Sequence, residues 1–289
     1  MAERAQVGDR LRRVLDGMGR LGEALASYNG ERVFVFGGIP GEEVVASVVR
    51  RRRDYLAAQV VEVVSSSPDR VAAPCPYFGA CTGCQWQHIS YPRQLEMKRE
   101  LVLDALRRVG GLEAPPVPPT LAAPEPFGYR NHARFTVGPE GTLCFVNRET
   151  RRFVPIDRCL LMHPAINDAI GKLQGRCGET TQLSIRYGVN TGEFLVQPAF
   201  RSPSVTVPSG QKHYSEVLKG RRFRVASPSF FQVNTAQAER IVDLVAARLR
   251  LGPGHFLVDA YAGVGTFAVL LAPLVRRVVA IEDSAAAVQ

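Results

Sequence analysis

Apolar and polar residues alternate with a period of two through the first sixty or so positions, the pattern of half-buried strands. Ala24-Leu25-Ala26, Glu31-Arg32-Val33-Phe34-Val35-Phe36 and residues 42–49 each read as a strand, separated by turns at Gly17, Gly19, Gly37-Gly38 and Pro40-Gly41. Several short strands in so little chain predict a small β-barrel over residues 1–64. Residues 65–74, Ser-Ser-Ser-Pro-Asp-Arg-Val-Ala-Ala-Pro, then read as a linker. A helix is predicted over 91–109, with Leu95, Leu101, Val102, Ala105 and Leu106 on one side and Gly110-Gly111 as its stop. A second linker over 113–126 holds six prolines.

Strands resume at 133–137, 183–187 and 193–197, with a helix at 164–173 among them. The style changes after residue 211. A helix at 235–249 precedes an apolar strand at 255–260, a glycine-rich turn, a second helix and a strand at 277–282. Strand, helix, strand with short loops is the opening of a doubly wound α/β domain. No internal repeat or low-complexity tract interrupts this order.

Composition narrows the classes. The 289 residues are 46% hydrophobic, enough for more than one packed core. No stretch approaches the roughly 18 apolar residues of a membrane span. The polar start at residues 1–6 lacks the apolar stretch of a secretory leader, so a cytoplasmic monomer with no membrane partner is expected. The net charge of +9 favours a polyanionic partner. Of 36 basic residues only Lys98, Lys172, Lys212 and Lys219 are lysine. That bias follows either from a GC-rich genome or from the fit of guanidinium groups to phosphates and bases. The run Arg50-Arg51-Arg52-Arg53 beside Tyr55 reads as an RNA contact, set against the alternative of a plain solvated face. Arg130, Asn131 and His132 read first as structural, with RNA contact as the alternative.

Six cysteines in a chain of this expected location point to metal or catalysis rather than disulfides. Cys75-x5-Cys81-x2-Cys84 places three thiolates within ten residues, spaced by glycine and proline, as a soft metal centre needs. A fourth ligand would come from Cys144, Cys159 or Cys177, or locally from His88. Cys159 stands between a strand-like segment and a helix, as a loop ligand would. Spacing leaves zinc and an iron–sulfur cluster level. Trp86 and His88 read as packing beside the loop.

Val258-Asp259-Ala260-Tyr261-Ala262-Gly263-Val264-Gly265-Thr266-Phe267 follows a strand and opens a helix. Its glycines permit a tight turn and close approach to a ligand at the carboxyl edge of the sheet. The next strand ends at Ile281-Glu282-Asp283, where an acid suits a ribose diol. The third glycine of the dinucleotide fingerprint is missing, which favours a nucleoside such as S-adenosylmethionine over NAD.

With these signals the chain resembles the RNA 5-methyluridine methyltransferases. The segment Phe34-Val35-Phe36-Gly37-Gly38-Ile39-Pro40-Gly41-Glu42 is similar to a TRAM domain, an RNA-binding barrel. Cys75, Cys81 and Cys84 with the distant Cys159 resemble the family's 4Fe–4S ligand set, which favours the cluster over zinc. Ser227-Pro228-Ser229-Phe230-Phe231-Gln232-Val233-Asn234 is similar to the family's signature ahead of the cofactor turn. The resemblance implies S-adenosylmethionine bound by Gln232, Tyr261, Gly263, Gly265, Thr266 and Glu282.

The implied fold is multidomain: an OB-like β-barrel at 1–64, a central α+β domain with the cluster and an RNA surface at 65–211, and a Rossmann-like methyltransferase domain, expected to be incomplete, at 212–289. The implied substrate is RNA, with 23S ribosomal RNA favoured over tRNA. A non-catalytic RNA-binding iron–sulfur fragment or paralogue is the alternative, and a zinc-bearing methyltransferase a weaker one. The family's mechanism uses a cysteine nucleophile at uracil carbon 6 and a general base. Both are expected beyond Gln289, so no catalytic residue is assigned, and this chain is expected to be unstable or inactive alone. Cys144 and Cys177 read as buried thiols.

Overall fold

Val33, Val35, Val44, Ala46 and Val48 alternate with more polar neighbours, and all five point into one core. The computed structural model describes residues 4–148 and 150–288. Residues 1–3 of the polar start, Glu149 and Gln289 lie outside the described residues. Contacts gather the chain into two compact units. One comprises Met1–Ala122 with Val146–Val154, the other Ala123–Phe145 with Pro155–Gln289.

In the first unit, β1 (Arg10–Val14), β2 (Gly17–Met18), β3 (Ala24–Tyr28), β4 (Glu31–Phe36), β5 (Glu43–Arg51) and β6 (Tyr55–Ser65) form one sheet in the order β1-β5-β6-β4-β3-β2. Only Leu15 and Asp16 separate β1 from β2, although these strands are the two ends of that order. Leu15 N donates to Glu42 O at 2.9 Å and Asp16 N to Leu25 O at 2.9 Å. The two ends are therefore halves of one bent strand, and the sheet closes on itself, leaving no long open edge. Ala24, Ala26, Ala46 and Ala58 fill its interior beside the valines; small side chains suit so narrow a core. β5 runs on through Arg50 and Arg51, past the expected end at residue 49. Arg51 stays in the ladder because its guanidinium pairs with Glu31 at 2.7 Å and donates to Ala5 O at 2.6 Å.

The cysteine loop stands on a short stem. Arg70 bridges Ile89, Val71 N donates to His88 O at 3.0 Å, and Ser90 N donates to Asp69 O at 2.8 Å. Helix α1 (Tyr91–Arg108) follows with Pro92 in its first turn. Its buried residue is Met97, packed with Ile39 and Ile89. Val102, expected on the buried side, is 48% exposed, and Ala105 is exposed as well. Periodicity tells which residues share a helix face but not how far along the helix a partner extends; here the apolar cluster meets only the first turns.

A second sheet comprises β7 (His132–Val137), β8 (Leu143–Val146), β9 (Phe153–Pro155), β10 (Gln182–Tyr187) and β11 (Phe194–Gln197) in the order β11-β10-β7-β8-β9, and of these β7, β10 and β11 lie wholly in the second unit. Helix α2 (Pro164–Leu173) covers one face, burying Ile166, Ile170 and Leu173 against Ala133, Phe135, Leu183 and Ile185. A second cluster joins Leu195 of β11 to the hairpin β12 (His213–Leu218) and β13 (Arg221–Ala226) and to helix α3 (Thr235–Leu249). Tyr214, Phe223, Val225 and Phe231 are its large members. Last come β14 (Phe256–Ala260), α4 (Thr266–Leu271), β15 (Arg277–Ile281) and the short α5 (Ala285–Val288). β14 and β15 pair in parallel, with Val258 opposite Val279 and Ala260 opposite Ile281, so α4 is the crossover of a βαβ unit. Among the described residues no helix is long and apolar enough to cross a membrane.

Candidate functional site

The turn between β14 and α4 takes its shape from three left-handed residues, Tyr261 (φ 64°), Gly263 (φ 57°) and Gly265 (φ 79°). Glycine adopts that region readily, but tyrosine does so at a cost, and such strain concentrates at functional sites. The Tyr261 side chain stands 93% exposed at the carboxyl edge of the strand. Glu282, just beyond β15, accepts from Gly263 N at 2.6 Å and from Ser284 N at 2.9 Å. Those two N–H groups, Ser284 first and Gly263 next, hold the Glu282 carboxyl below the ordinary carboxylate range. Asp259 accepts from Ala268 N at 2.9 Å and so caps α4 from the preceding strand, a role the sequence reading missed. Thr266 opens α4 and is only 8% exposed, so it is largely covered.

The signature segment is fixed to the same unit from the other side. Phe231 belongs to the apolar cluster against which Val264 and Leu270 pack, so the residue next to Gln232 and a residue of the turn share one core. Asn131, 1% exposed, donates through Nδ2 to Gln232 O at 3.0 Å and to Thr235 Oγ1 at 3.1 Å. Asn131 N donates to Val233 O. Thr235 Oγ1 donates in turn to Glu216 at 3.1 Å, and Asn234 caps α3 by accepting from Gln237 N at 3.0 Å. Glu216 is fully buried and also accepts from the N–H groups of Val189, Asn190 and Val217. Ser229 Oγ donates to Ala286 O at 2.9 Å, tying the start of the signature to α5. All six expected cofactor residues thus fall in one unit. Gly263 and Glu282 are directly bonded, Gly265 and Thr266 form the helix start, and Gln232 is held through its backbone. The structural reading of Asn131 agrees with these bonds, whereas Glu216 escaped the sequence reading as a support; an acid at an inward position of an alternating strand was the available signal for it.

The cysteines divide differently. Cys75, Cys81 and Cys84 are half-buried in the first unit, where Cys81 N donates to Tyr77 O at 2.7 Å and Phe78 N to Cys75 O at 3.1 Å. The segment Val146–Val154 holds this loop: Asn147 Nδ2 donates to Ala80 O at 2.8 Å and Arg148 N to Thr82 Oγ1 at 2.8 Å. Cys159 lies in the second unit, its backbone bracketed by Asn167, which accepts from Cys159 N at 2.9 Å and donates to Cys159 O at 3.1 Å. None of the six cysteines is in a disulfide. Among the described residues no three His, Cys, Asp or Glu are gathered closely enough to hold a metal ion. Cys144 and Cys177 are buried, and burial raises both thiols, Cys177 to about 11; neither is an available nucleophile. Trp86 Nε1 donates to Gly22 O at 2.8 Å, and His88 packs on Phe78 with ring centres 5.3 Å apart, so both serve packing.

No protein-family model matches the chain. An uncharacterized RNA methyltransferase of Gloeobacter violaceus is 32% identical over 95% of this chain and 71% of its own length. One of Thermosynechococcus vestitus is 30% identical over 95% and 73%. The crystal structure of Pyrococcus abyssi tRNA (uracil-54, C5)-methyltransferase in complex with S-adenosyl-L-homocysteine superposes with a TM-score of 0.67 at 25% identity, over 90% of this chain and 70% of that one. A relative this similar across nearly the whole chain, together with a strand–turn–helix site pinned to its signature segment, shows that the chain belongs to the RNA methyltransferases.

Proposed function

We propose that this enzyme uses S-adenosylmethionine to methylate carbon 5 of a uridine in a structured RNA, with 23S ribosomal RNA as the favoured substrate. The observation that carries the reading is the bond from Gly263 N to Glu282 in a turn whose Val264 shares a core with Phe231. The archaeal structure supports it, because that protein acts on a tRNA uracil and holds S-adenosyl-L-homocysteine. The same structure favours a second reading, a tRNA substrate.

S-adenosylmethionine would supply the methyl group as a sulfonium. Tyr261 offers an exposed ring for an aromatic base, and Glu282, held ionised, has lone pairs left to accept from ribose hydroxyls. Gly263 and Gly265 let the backbone approach the ligand, while Gln232 and Thr266 flank it. The TRAM-like barrel with Arg50–Arg53 would carry RNA. Cys75, Cys81, Cys84 and Cys159 would bind a 4Fe–4S cluster in a structural role. A cytoplasmic monomer completes the proposal.

Calorimetry with S-adenosylhomocysteine tests the site: binding is expected, and Tyr261→Ala and Glu282→Gln should each weaken it about tenfold. Absence of binding would sink the cofactor reading. Competition between a 23S ribosomal RNA fragment and tRNA for the protein decides the substrate, with preference for tRNA favouring the second reading. Anaerobic reconstitution with iron and sulfide should give a visible absorption band that the Cys81→Ala variant lacks.

A further inference from the structure

Leu183 and Ile185 of β10 and Ala133 and Phe135 of β7 face the α2 core, so their alternating neighbours face the other way. Those neighbours are His132 and Arg134 on β7, and Ser184 and Arg186 on β10. Register sets Arg186 opposite His132 and Ser184 opposite Arg134. Arg130 has the same parity and lies two residues before β7, with its backbone bridged to Met162 and Asn234. Three arginines therefore collect around one histidine, and Arg186, Arg130 and Arg134 all act electrostatically on His132.

This collection lacks directly bonded acceptors for two of its donors. Arg186 is 6% exposed, and its Nε is buried with no acceptor; Arg130 Nε is likewise buried with no acceptor. Among the described residues no carboxylate pairs with either guanidinium. Arg186 bonds the buried Tyr214 hydroxyl, a neutral partner. Glu216, the acid that shares Tyr214's surroundings, spends its oxygens on three backbone N–H groups and Thr235. Burial first, then the three arginines, lowers His132 to about 4, so it adds no charge at neutral pH but can accept a hydrogen bond or donate one. Its Nε2 lies 3.0 Å from Ser184 Oγ. A buried guanidinium and a half-buried one, each with a buried and unmatched Nε, describe a receptor for an oxyanion.

We propose that Arg130 and Arg186 bind a backbone phosphate of the RNA substrate and thereby register the target nucleotide beside the segment that carries Gln232. The proposal rests on the RNA-methylating reading above. A polyanion fits better than the single carboxylate of the cofactor, because positive charge continues along β7 to the exposed Arg134. The placement follows from the backbone: Arg130 bridges Asn234, and its neighbour Asn131 donates to Gln232 O. A phosphate held there sits one hydrogen-bonded step from the cofactor signature.

The test uses the full chain, a labelled single-stranded RNA of mixed sequence and S-adenosylhomocysteine. Arg186→Met should weaken RNA binding roughly tenfold and lower the slope of log affinity against log salt by about one, the signature of a lost phosphate contact. Arg186→Lys should keep the slope, and S-adenosylhomocysteine affinity should be unchanged in both. Unchanged RNA affinity and slope in Arg186→Met would overturn the proposal. So would a loss of S-adenosylhomocysteine affinity with the RNA slope intact, which would assign the arginines to the cofactor's carboxylate. If Arg186→Met fails to fold by circular dichroism, Arg130→Met, at a half-buried position, takes the same test with the same expected and overturning results. Failure of the unaltered chain to bind S-adenosylhomocysteine would defeat the cofactor reading alone and leave the salt slope interpretable.

Discussion

Glu42 offers a sharp test of how the first unit holds its cysteine loop. Its side chain is fully buried and accepts four hydrogen bonds: from Ile39 N at 2.9 Å, Ser67 N at 3.1 Å, Arg70 Nε at 2.6 Å and Arg70 Nη2 at 2.6 Å. Arg70 also donates to Gly37 O and forms the stem of the loop through its bridge to Ile89. Glu42→Ala would orphan two backbone N–H groups, at about 1–3 kcal/mol each, and strand a largely buried guanidinium. Breaking one side of a buried ion pair costs about 3–5 kcal/mol, and the two figures describe the same loss, so about 3–5 kcal/mol is expected. That is a large share of the 5–15 kcal/mol typical of a domain. Burial would raise the Glu42 carboxyl, but Arg70 and the two N–H groups outweigh it and hold the carboxyl below its ordinary range. A lowered folded pKa contributes stability above the unfolded carboxylate value, near about 4.3, and loses it as pH falls through the folded value. The gap between parent and variant should therefore narrow in acid. Trp86, the only tryptophan, sits in this unit, so urea denaturation followed by its fluorescence reports the first unit alone. A loss under about 1 kcal/mol at pH 7, or Glu42→Ala and Arg70→Met effects that simply add, would refute the reasoning.

Three further outcomes are expected. Asn131→Ala removes two buried side-chain bonds, to Gln232 O and Thr235 Oγ1. It should cost about 1–3 kcal/mol and weaken S-adenosylhomocysteine binding without touching the ligand; a melt and a titration that both match the parent would contradict this. In protein without metal, a thiol reagent at pH 8 should label Cys75, Cys81 and Cys84 before Cys144 and Cys177, whose thiols burial raises. Peptide mass spectrometry decides it, and early labelling of Cys177 would count against the packing described here. His132 should stay neutral down to about pH 4 by NMR, because burial and the neighbouring arginines disfavour its cation. Since the unfolded chain protonates near about 6.5, stability should fall as pH drops from there towards the folded value, and Arg186→Met should raise the His132 pKa.

The elements with strong local signals were legible. Helices α2 and α3 begin and end where apolar period, Pro164 and the Asn234 cap place them, and β4, β7 and β10 follow their alternation to within a residue. The strand–turn–helix around Gly263 and Gly265 was legible because glycines mark a backbone conformation rather than a contact. Other features were hidden for stated reasons. Arg221, Arg222 and Arg224 mask the inward Phe223 and Val225, so the hairpin β12–β13 reads as polar chain. Arginines likewise disguise the end of β5. The supports Asn131 and Asp259 act on backbone groups about 101 and 9 residues away, and no local pattern announces such partners.

The missed hairpin also explains why Arg186 went unnoticed. Alternation in Leu183-Ser184-Ile185-Arg186 marks one face as core and leaves the other to solvent, and an arginine there looks like an ordinary exposed charge. The same strand position changes meaning once Leu195, opposite Arg186, joins Tyr214, Phe223 and Phe231 in a second core. The face is then covered, and a guanidinium on it is buried at 6% exposure instead of hydrated. A period of two can report only that the faces differ, not that a later segment buries both. The charge that looked most ordinary in the sequence is thus the one whose burial demands a partner, and it sits on a strand whose next residue, Tyr187, donates to the Asn131 that holds the signature segment.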